Sequence, residues 1–167
     1  MVLDDGYSEP HFPRRKASPM TEPATSGSNN ETSARAERRQ GGCHCGCVRF
    51  EVEVDLRGPA SRCNCSICTK TAVSSYIVKP GAFRTLAGED ALGEYEWGGK
   101  TSKRYFCSHC GIHAFGRGHL AEVGGDYVAI NANCLDDVDP STLDVIYWDG
   151  RHNNWEAGPR KQPWPIA

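Results

Sequence analysis

Three tight groups contain eight of the nine cysteines in this chain, and Cys134 lies alone. The groups are 43-CHCGC-47, 63-CNCSIC-68 and 107-CSHC-110. Cysteines two residues apart would strain to form a disulfide with each other, whereas one metal ion can bind both sulfurs. An odd number of cysteines also fits metal binding better than a set of disulfides. The spacing therefore predicts metal sites, and zinc is the ion expected with thiolate ligands.

The segment 107-CSHCG-111 has the pattern of a zinc-ribbon knuckle, in which two thiolates bind one ion and a glycine lets the chain turn back. Such a knuckle needs a second pair of ligands, and the pair Cys43-x-Cys45 is the natural one. We therefore predict a closed, structural zinc site that connects two segments far apart in the sequence. Its ligands would be Cys43, Cys45, Cys107 and Cys110.

The middle group, Cys63, Cys65 and Cys68, offers three thiolates where a closed zinc site needs four. The position is either left open for chemistry or filled by one of the other cysteines or by a nearby histidine: Cys134, Cys47, His109 or His113. Spacing alone leaves both alternatives open. Three thiolates give a zinc site a net charge of about −1, which makes the ion a weak generator of hydroxide. A substrate thiol could still bind there and lose its proton, so an open site favours thiol chemistry.

The elements that must position these cysteines are predicted to be β-strands. In 48-VRFEVEV-54 apolar and charged residues alternate, which indicates a strand with one buried and one solvated face in an antiparallel sheet. Further strands are predicted at 73–78, 93–97, 102–106, 127–131 and 143–148, with turn residues between them. We expect an all-β domain over residues 41–167, stapled by metal. Residues 148–167, with three tryptophans and three prolines, should form an irregular strap over the sheet.

Residues 1–40 are rich in Pro, Ser, Thr and Asn and have almost no large apolar residues, so we predict a disordered N-terminal tail. The chain lacks both an apolar run of membrane-spanning length and the core of a secretory signal, and clustered thiols suit a reducing compartment. The expected location is the cytoplasm. A formal net charge of −2 provides no strong field for nucleic acid or anionic membranes, and neither is expected as a partner.

Three ordered motifs, 42-GCHCGCVRF-50, 63-CNCSICTK-70 and 106-FCSHCG-111, resemble those of the glutathione-dependent formaldehyde-activating enzyme (GFA) family, whose domain also occurs in centromere protein V. The resemblance spans about residues 41–155. It implies a β-sandwich related to zinc ribbons, with two zinc ions per chain. The four-cysteine zinc would be structural. The zinc on Cys63, Cys65 and Cys68 would be catalytic, with an open position that the substrate thiol approaches.

The activity that the resemblance implies is condensation of formaldehyde with glutathione to S-hydroxymethylglutathione, classed as a carbon–sulfur lyase. Another thiol or a related aldehyde could replace either reactant, because ligands specify the metal and a pocket specifies the substrate. The carboxylates of glutathione call for a basic residue near the second zinc. Arg62 is the best candidate, because it precedes Cys63; the others are Lys70, Lys103, Arg104 and Arg117.

The alternative function is a non-enzymatic, zinc-stabilised binding module, as the centromere relative suggests. After the six basic and six acidic residues of the first 40 are set aside, the domain has 13 basic and 15 acidic residues, which argues against binding nucleic acid. The sequence departs from the family at Cys47, where a small residue such as alanine is usual. A buried cysteine there could act simply as a small apolar side chain.

Overall fold

A computed structural model describes residues 36–96 and 98–166 and consists mainly of β-strands. In chain order the described strands are β1 (Glu37–Gly42), β2 (Arg49–Val54), β3 (Ala60–Cys63), β4 (Ser75–Val78), β5 (Phe83–Ala87), β6 (Leu92–Glu96), β7 (Ser102–Cys107), β8 (His113–Leu120), β9 (Gly125–Asn131) and β10 (Val145–Trp148). One short α-helix, α1 (Ser66–Thr71), follows β3, and three-residue 3-10 helices lie in several of the connections between strands and in the segment after β10. The predicted all-β class is confirmed.

Most of the predicted N-terminal tail lies outside the described residues. The described part begins at residue 36, and β1 starts at Glu37, so regular structure begins upstream of Gly41, where the sequence alone placed the start of the domain. Residues 37–42 pair in antiparallel register with β2. None of the helices in the described part of the chain has the length and apolar character needed to cross a membrane.

Two sheets share one hydrophobic core. The smaller sheet has the order β1-β2-β5, and the larger has the order β10-β3-β4-β9-β8-β7-β6. The alternation predicted for β2 is confirmed, because Phe50, Val52 and Val54 are buried while Glu53 is exposed. From the larger sheet, Phe115 meets Phe50 edge-on with ring centroids 6.2 Å apart. These contacts place the apolar faces of both sheets against each other, as in a β-sandwich.

The expected antiparallel pairing is confirmed for every strand pair of the described residues except one. β10 pairs in parallel with β3, with Trp148 opposite Cys63. A parallel pair requires a long connection, and here the chain passes through β4 to β9 before it returns. The last strand therefore lies directly beside the strand that ends at the middle cysteine group.

The segment after β10 forms the irregular, aromatic-anchored strap that the sequence predicted. Its tryptophan rings contact β10, with the centroids of Trp148 and Trp155 6.3 Å apart. The Trp164 Nε1 donates a hydrogen bond of 2.9 Å to the carbonyl oxygen of Tyr147. Arg160 lies 3.8 Å from the centroid of the Trp164 ring, within the range of a cation–π contact. The strap is thus fixed beside β3 and β10.

Candidate metal centres

Four cysteine sulfurs from two distant segments meet at one end of the core. Their Sγ atoms all lie within 4.8 Å of one another: Cys43, Cys45, Cys107 and Cys110. The Sγ of Cys45 lies 3.5 Å from that of Cys43 and 3.7 Å from that of Cys107. Two ligands of a tetrahedral zinc with bonds of about 2.3 Å lie about 3.8 Å apart. The number, type and spacing of these donors therefore fit a zinc ion.

The backbone around this four-cysteine group is shaped to present amides to sulfur. The Val48 amide donates to the Cys43 Sγ over 3.2 Å. Gly46 and Gly111, in the two turns, have φ values of +77° and +73°, which glycine adopts without strain. Burial tends to raise the pKa of Cys110, but hydrogen bonds from the backbone of Cys45 and Ile112 lower it to about 6. These amides therefore stabilise a thiolate on Cys110, whereas burial raises the pKa of Cys43 and of Cys45.

The three sulfurs of the middle group come from one continuous segment. Cys63 ends β3, Cys65 directly precedes α1, and Cys68 lies on the first turn of that helix. Their Sγ atoms also lie within 4.8 Å of one another, and all three residues are half-buried. Hydrogen bonds from the thiols of Cys63 and Cys68 lower the pKa of Cys65 to about 2, with a further contribution from backbone amides. This three-cysteine group also fits a soft metal ion such as zinc.

None of the four candidates for an additional protein ligand joins the three-cysteine group. Cys134 lies on the side of the four-cysteine group: its thiol donates to the His113 carbonyl oxygen over 3.6 Å. Burial, and then the nearby Cys43 and Cys110, raise the pKa of Cys134 to about 11. Cys47 also belongs to that side, because its thiol interacts with Cys45. These residues leave three donors as the complete sulfur set of the middle group.

The two histidines are likewise outside both groups in the described structure. His109 is exposed on the knuckle turn. The ring nitrogens of His113 are buried and have no hydrogen-bond partner among the described residues. Burial, together with the positive charge of Arg104, lowers the pKa of His113 to about 4, so the ring is neutral at pH 7. Neither ring is placed to bind a metal with the middle cysteines.

Asn64, between two of the middle cysteines, ties their loop to the C-terminal part of the chain. Its Nδ2 donates two hydrogen bonds, one of 2.7 Å to the Asp149 Oδ1 and one of 3.0 Å to the Pro165 carbonyl oxygen. Its Oδ1 accepts a hydrogen bond of 2.9 Å from the Arg151 amide, and its own amide donates to the Trp148 carbonyl oxygen. Four hydrogen bonds therefore hold the residue that separates Cys63 from Cys65. Sequence reasoning missed this role.

The partner of Asn64, Asp149, is a buried carboxylate with 3% exposure. His152 Nδ1 lies 2.8 Å from its Oδ1. Burial disfavours the ionised carboxylate, but hydrogen bonds from Asn64, His152 and Asn154 outweigh that effect and lower the pKa of Asp149. The next residue, Gly150, packs so closely that a Cβ there would lie 2.5 Å from the Cys63 Sγ. Asp149, through its bond to Asn64, and Gly150, through its close contact with Cys63, thus hold the three-cysteine loop in place.

A cavity of about 280 Å³ opens beside the three-cysteine group. Cys63 and Cys68 line it, together with Arg62 and Thr69. Its aromatic and apolar wall comes from β10 and the strap: Tyr147, Trp148, Pro163, Trp164 and Ile166. The volume lies just below the range that is typical of ligand cavities, about 300–1,000 Å³. The C-terminal strap therefore lines the cavity as well as packing beside β10.

Of the five basic residues considered as carboxylate binders, Arg62 is the one that lines this cavity. Lys103 forms an ion pair with Glu94, with 3.0 Å between Nζ and Oε1. Arg104 donates to the Ser102 hydroxyl, and the guanidinium of Arg117 lies over the rings of Phe83 and Phe115. Lys70 is exposed on α1. The structure thus separates Arg62 from the other four.

Comparison with known proteins adds three findings. A family model described as glutathione-dependent formaldehyde-activating enzyme matches residues 38–149. A Halomonas elongata protein, whose name provisionally makes it a glutathione-dependent formaldehyde-activating enzyme, is 42% identical over 79 residues, 42% of this chain and 50% of that protein. The chain therefore spans about half the length of this curated relative. A crystal structure of a Rhodobacter sphaeroides protein is similar with a TM-score of 0.59 and 30% identity, over 65% of this chain and 98% of that one.

Proposed function

Because the chain belongs to the glutathione-dependent formaldehyde-activating enzyme family, we propose that it is a zinc-dependent carbon–sulfur lyase. It condenses formaldehyde, or a related aldehyde, with glutathione or another thiol. The observation that carries this proposal is the contrast in donors: one group has four sulfurs, and the other has three beside a cavity. An incomplete ligand set that faces a cavity is the arrangement of catalytic zinc sites.

Two zinc ions per chain would be held by these groups. The structural ion belongs to Cys43, Cys45, Cys107 and Cys110, and the catalytic ion belongs to Cys63, Cys65 and Cys68. When bound to three thiolates, zinc supplies a position at which a substrate thiol is stabilised in its deprotonated form. The same charge makes activation of water unfavourable, which suits addition of a thiol to an aldehyde.

The chain's own residues bind and orient the reactants. The apolar wall around Trp148 and Trp164 excludes water from one side of the cavity. The hydrogen bonds of Asn64 to Asp149 and Arg151 fix the loop that carries the three sulfurs, so that the sulfurs keep a constant position beside the cavity. In the reaction the substrate sulfur forms a bond to the aldehyde carbon, and the thiol proton ends on the new hydroxyl group. No oxidant or reductant is required.

The cytoplasm is the proposed compartment. All nine cysteines are free, and both groups need reduced thiols to bind metal. Glutathione-type thiols are also abundant where the redox environment keeps cysteines reduced. Metal binding and the thiol substrate thus both require a compartment in which thiols stay reduced.

Formaldehyde and glutathione combine without a catalyst, so the test must measure a rate. We would follow their exchange by NMR exchange spectroscopy with the zinc-loaded protein, with Cys65→Ala and with Cys134→Ala as the matched control. Faster exchange that disappears in Cys65→Ala and persists in Cys134→Ala supports the lyase. No acceleration by a protein that holds two zinc ions would overturn the proposal and favour the non-enzymatic binding module.

A further inference from the structure

We infer that Arg62 recognises a carboxylate of the thiol that enters the cavity beside Cys63 and Cys68, which makes Arg62 a determinant of substrate class. The inference rests on the proposed function in one respect, namely that a thiol binds at the three-cysteine group. It extends that function from a metal site to a substrate with two points of attachment: a thiol at the metal and a carboxylate at the guanidinium.

The position of Arg62 is fixed by its own backbone and by one buried partner. It lies on β3 immediately before Cys63 and opposite Tyr147 of β10. Its Nε donates a hydrogen bond of 2.6 Å to the hydroxyl of Ser74, a residue with 2% exposure. Tyr147 and Val73, which precedes Ser74, also line the cavity. The guanidinium is therefore anchored at one nitrogen along the cavity wall.

The remaining donors of Arg62 are available. Arg62 is exposed and lines the cavity. Within residues 36–96 and 98–166 it forms no ion pair with any carboxylate. The arginines of the smaller sheet and its surroundings behave differently, since each has a carboxylate partner: Arg38, Arg39, Arg49, Arg57 and Arg84. An arginine that is pre-positioned but unpaired beside a candidate reactive centre is suited to an external anion.

Two features of the site favour a carboxylate as that anion. The free edge of a guanidinium donates two parallel hydrogen bonds, which match the two oxygens of a carboxylate. Local charge also requires compensation, because three thiolates around one zinc would repel an anionic ligand. The nearby buried carboxylate does not compete for Arg62, because Asp149 is already bonded to Asn64 and His152. Arg62 is thus the cation that lets an acidic thiol approach this group.

The test compares two ligands with two proteins, so that the contact itself is isolated. Isothermal calorimetry of the zinc-loaded full-length protein would measure binding of glutathione and of its diethyl ester, in which both carboxylates are capped. We expect glutathione to bind at least about tenfold more tightly than the ester. In Arg62→Gln glutathione should weaken about tenfold while the ester is unchanged. Arg62→Lys should retain part of the preference, because a lysine supplies charge without the planar fork.

Arg84→Gln is the matched control, since Arg84 is an exposed arginine that pairs with Glu51 on the smaller sheet. It should keep the wild-type preference for the acid over the ester. An unchanged preference in Arg62→Gln would overturn the inference, and so would failure of both ligands to bind the wild-type protein. Comparison with the exchange assay separates the two proposals. Accelerated exchange with no loss in Arg62→Gln leaves the lyase standing without Arg62. An Arg62-dependent preference without acceleration leaves the recognition site and removes the lyase.

Discussion

The two cysteine groups differ most in how their sulfurs are gathered. The four-cysteine group draws on segments 62 residues apart, and two of its members, Cys43 and Cys107, are buried in the core with 6% and 0% exposure. The three-cysteine group lies within one strand end and one helical turn, and all its members are half-buried beside a cavity. A cross-link between distant segments removes more freedom from the unfolded chain than a local one does. Stability and reactivity are therefore expected to reside in different groups.

The largest effect is expected from a substitution in the four-cysteine group. Cys107→Ser removes one sulfur of four at a fully buried position, so the free energy of unfolding should fall by about 3 kcal/mol or more. One metal ion per chain should be lost together with it. Thermal unfolding followed by circular dichroism, with metal analysis of the purified protein, measures both quantities. A variant that loses its metal and keeps the wild-type melting temperature would contradict a structural role for this group.

A cysteine-to-serine substitution in the three-cysteine group should affect metal content much more than it affects stability. Cys65→Ser should also remove one metal ion per chain, because two sulfurs cannot retain it. Its melting temperature should change by no more than about 4 °C, since all three sulfurs come from one short segment and the metal ion would not cross-link distant parts of the chain. Measured side by side with Cys107→Ser, this variant shows whether the two groups really divide stability and chemistry. Equal destabilisation by both substitutions would refute the distinction.

A smaller effect is expected at Asn64, which supports the three-cysteine group without supplying a sulfur. Asn64→Ala removes the hydrogen bonds to Asp149, Pro165 and Arg151. The affinity of the three-cysteine group for zinc should fall about tenfold, as is typical when residues that orient metal ligands are lost. Competition with a chelator, resolved into a weak and a tight ion, measures this change. Asn133→Ala, at an exposed asparagine outside both groups, should leave both affinities unaltered.

The smallest expected effect is on the pH dependence of stability, and it arises at His113. Burial lowers the pKa of His113 from 6.5 to about 4, so the unfolded chain binds a proton there more readily than the folded chain does. Stability should therefore fall as the pH decreases from about 6.5 towards 4. After allowance for partial exposure, this contribution is about 1 kcal/mol between pH 7 and pH 5.

His113→Phe should flatten that dependence, because a phenyl ring fills a similar volume and cannot be protonated. Metal loss in acid affects both proteins, so the difference between their melting temperatures at pH 7 and pH 5 isolates the imidazole. Parallel pH curves for the two proteins would show that His113 is not the group responsible. The variant also tests whether the unpartnered ring nitrogens have any structural value in the native state.

How much of this could be predicted from the sequence depends on whether the signal was local. The alternation of β2 and the spacing of the cysteines are local patterns, and the sulfurs grouped by spacing do lie together. β8 was missed because Gly116 and Gly118 interrupt its apolar pattern. Both glycines have a packing reason: a Cβ at Gly118 would lie 2.7 Å from the Tyr127 hydroxyl, and one at Gly116 would lie 3.0 Å from the Lys103 carbonyl oxygen.

Features that depend on distant partners could not be predicted in this way. The parallel pairing of β10 with β3 leaves no mark on either strand, since β10 is simply a short apolar segment and β3, with the sequence ASRC, has no strand pattern of its own. The bond between Asn64 and Asp149 joins residues 85 positions apart, and an asparagine between two cysteines is not by itself a signal. The placement of Cys134 beside the four-cysteine group follows from the route of the chain after β9, which spacing does not encode.

The parallel pairing of β10 with β3 also has a consequence for biosynthesis. A ribosome that has completed Cys110 has already made every segment that contributes a sulfur to the four-cysteine group. The supports of Asn64, from Trp148 to Pro165, are translated only afterwards. All sulfurs of the four-cysteine group are thus present before the loop of Cys63 and Cys65 gains its final shape. Translation order therefore delays the supports of the three-cysteine loop, although its thiols are made earlier than Cys107 and Cys110.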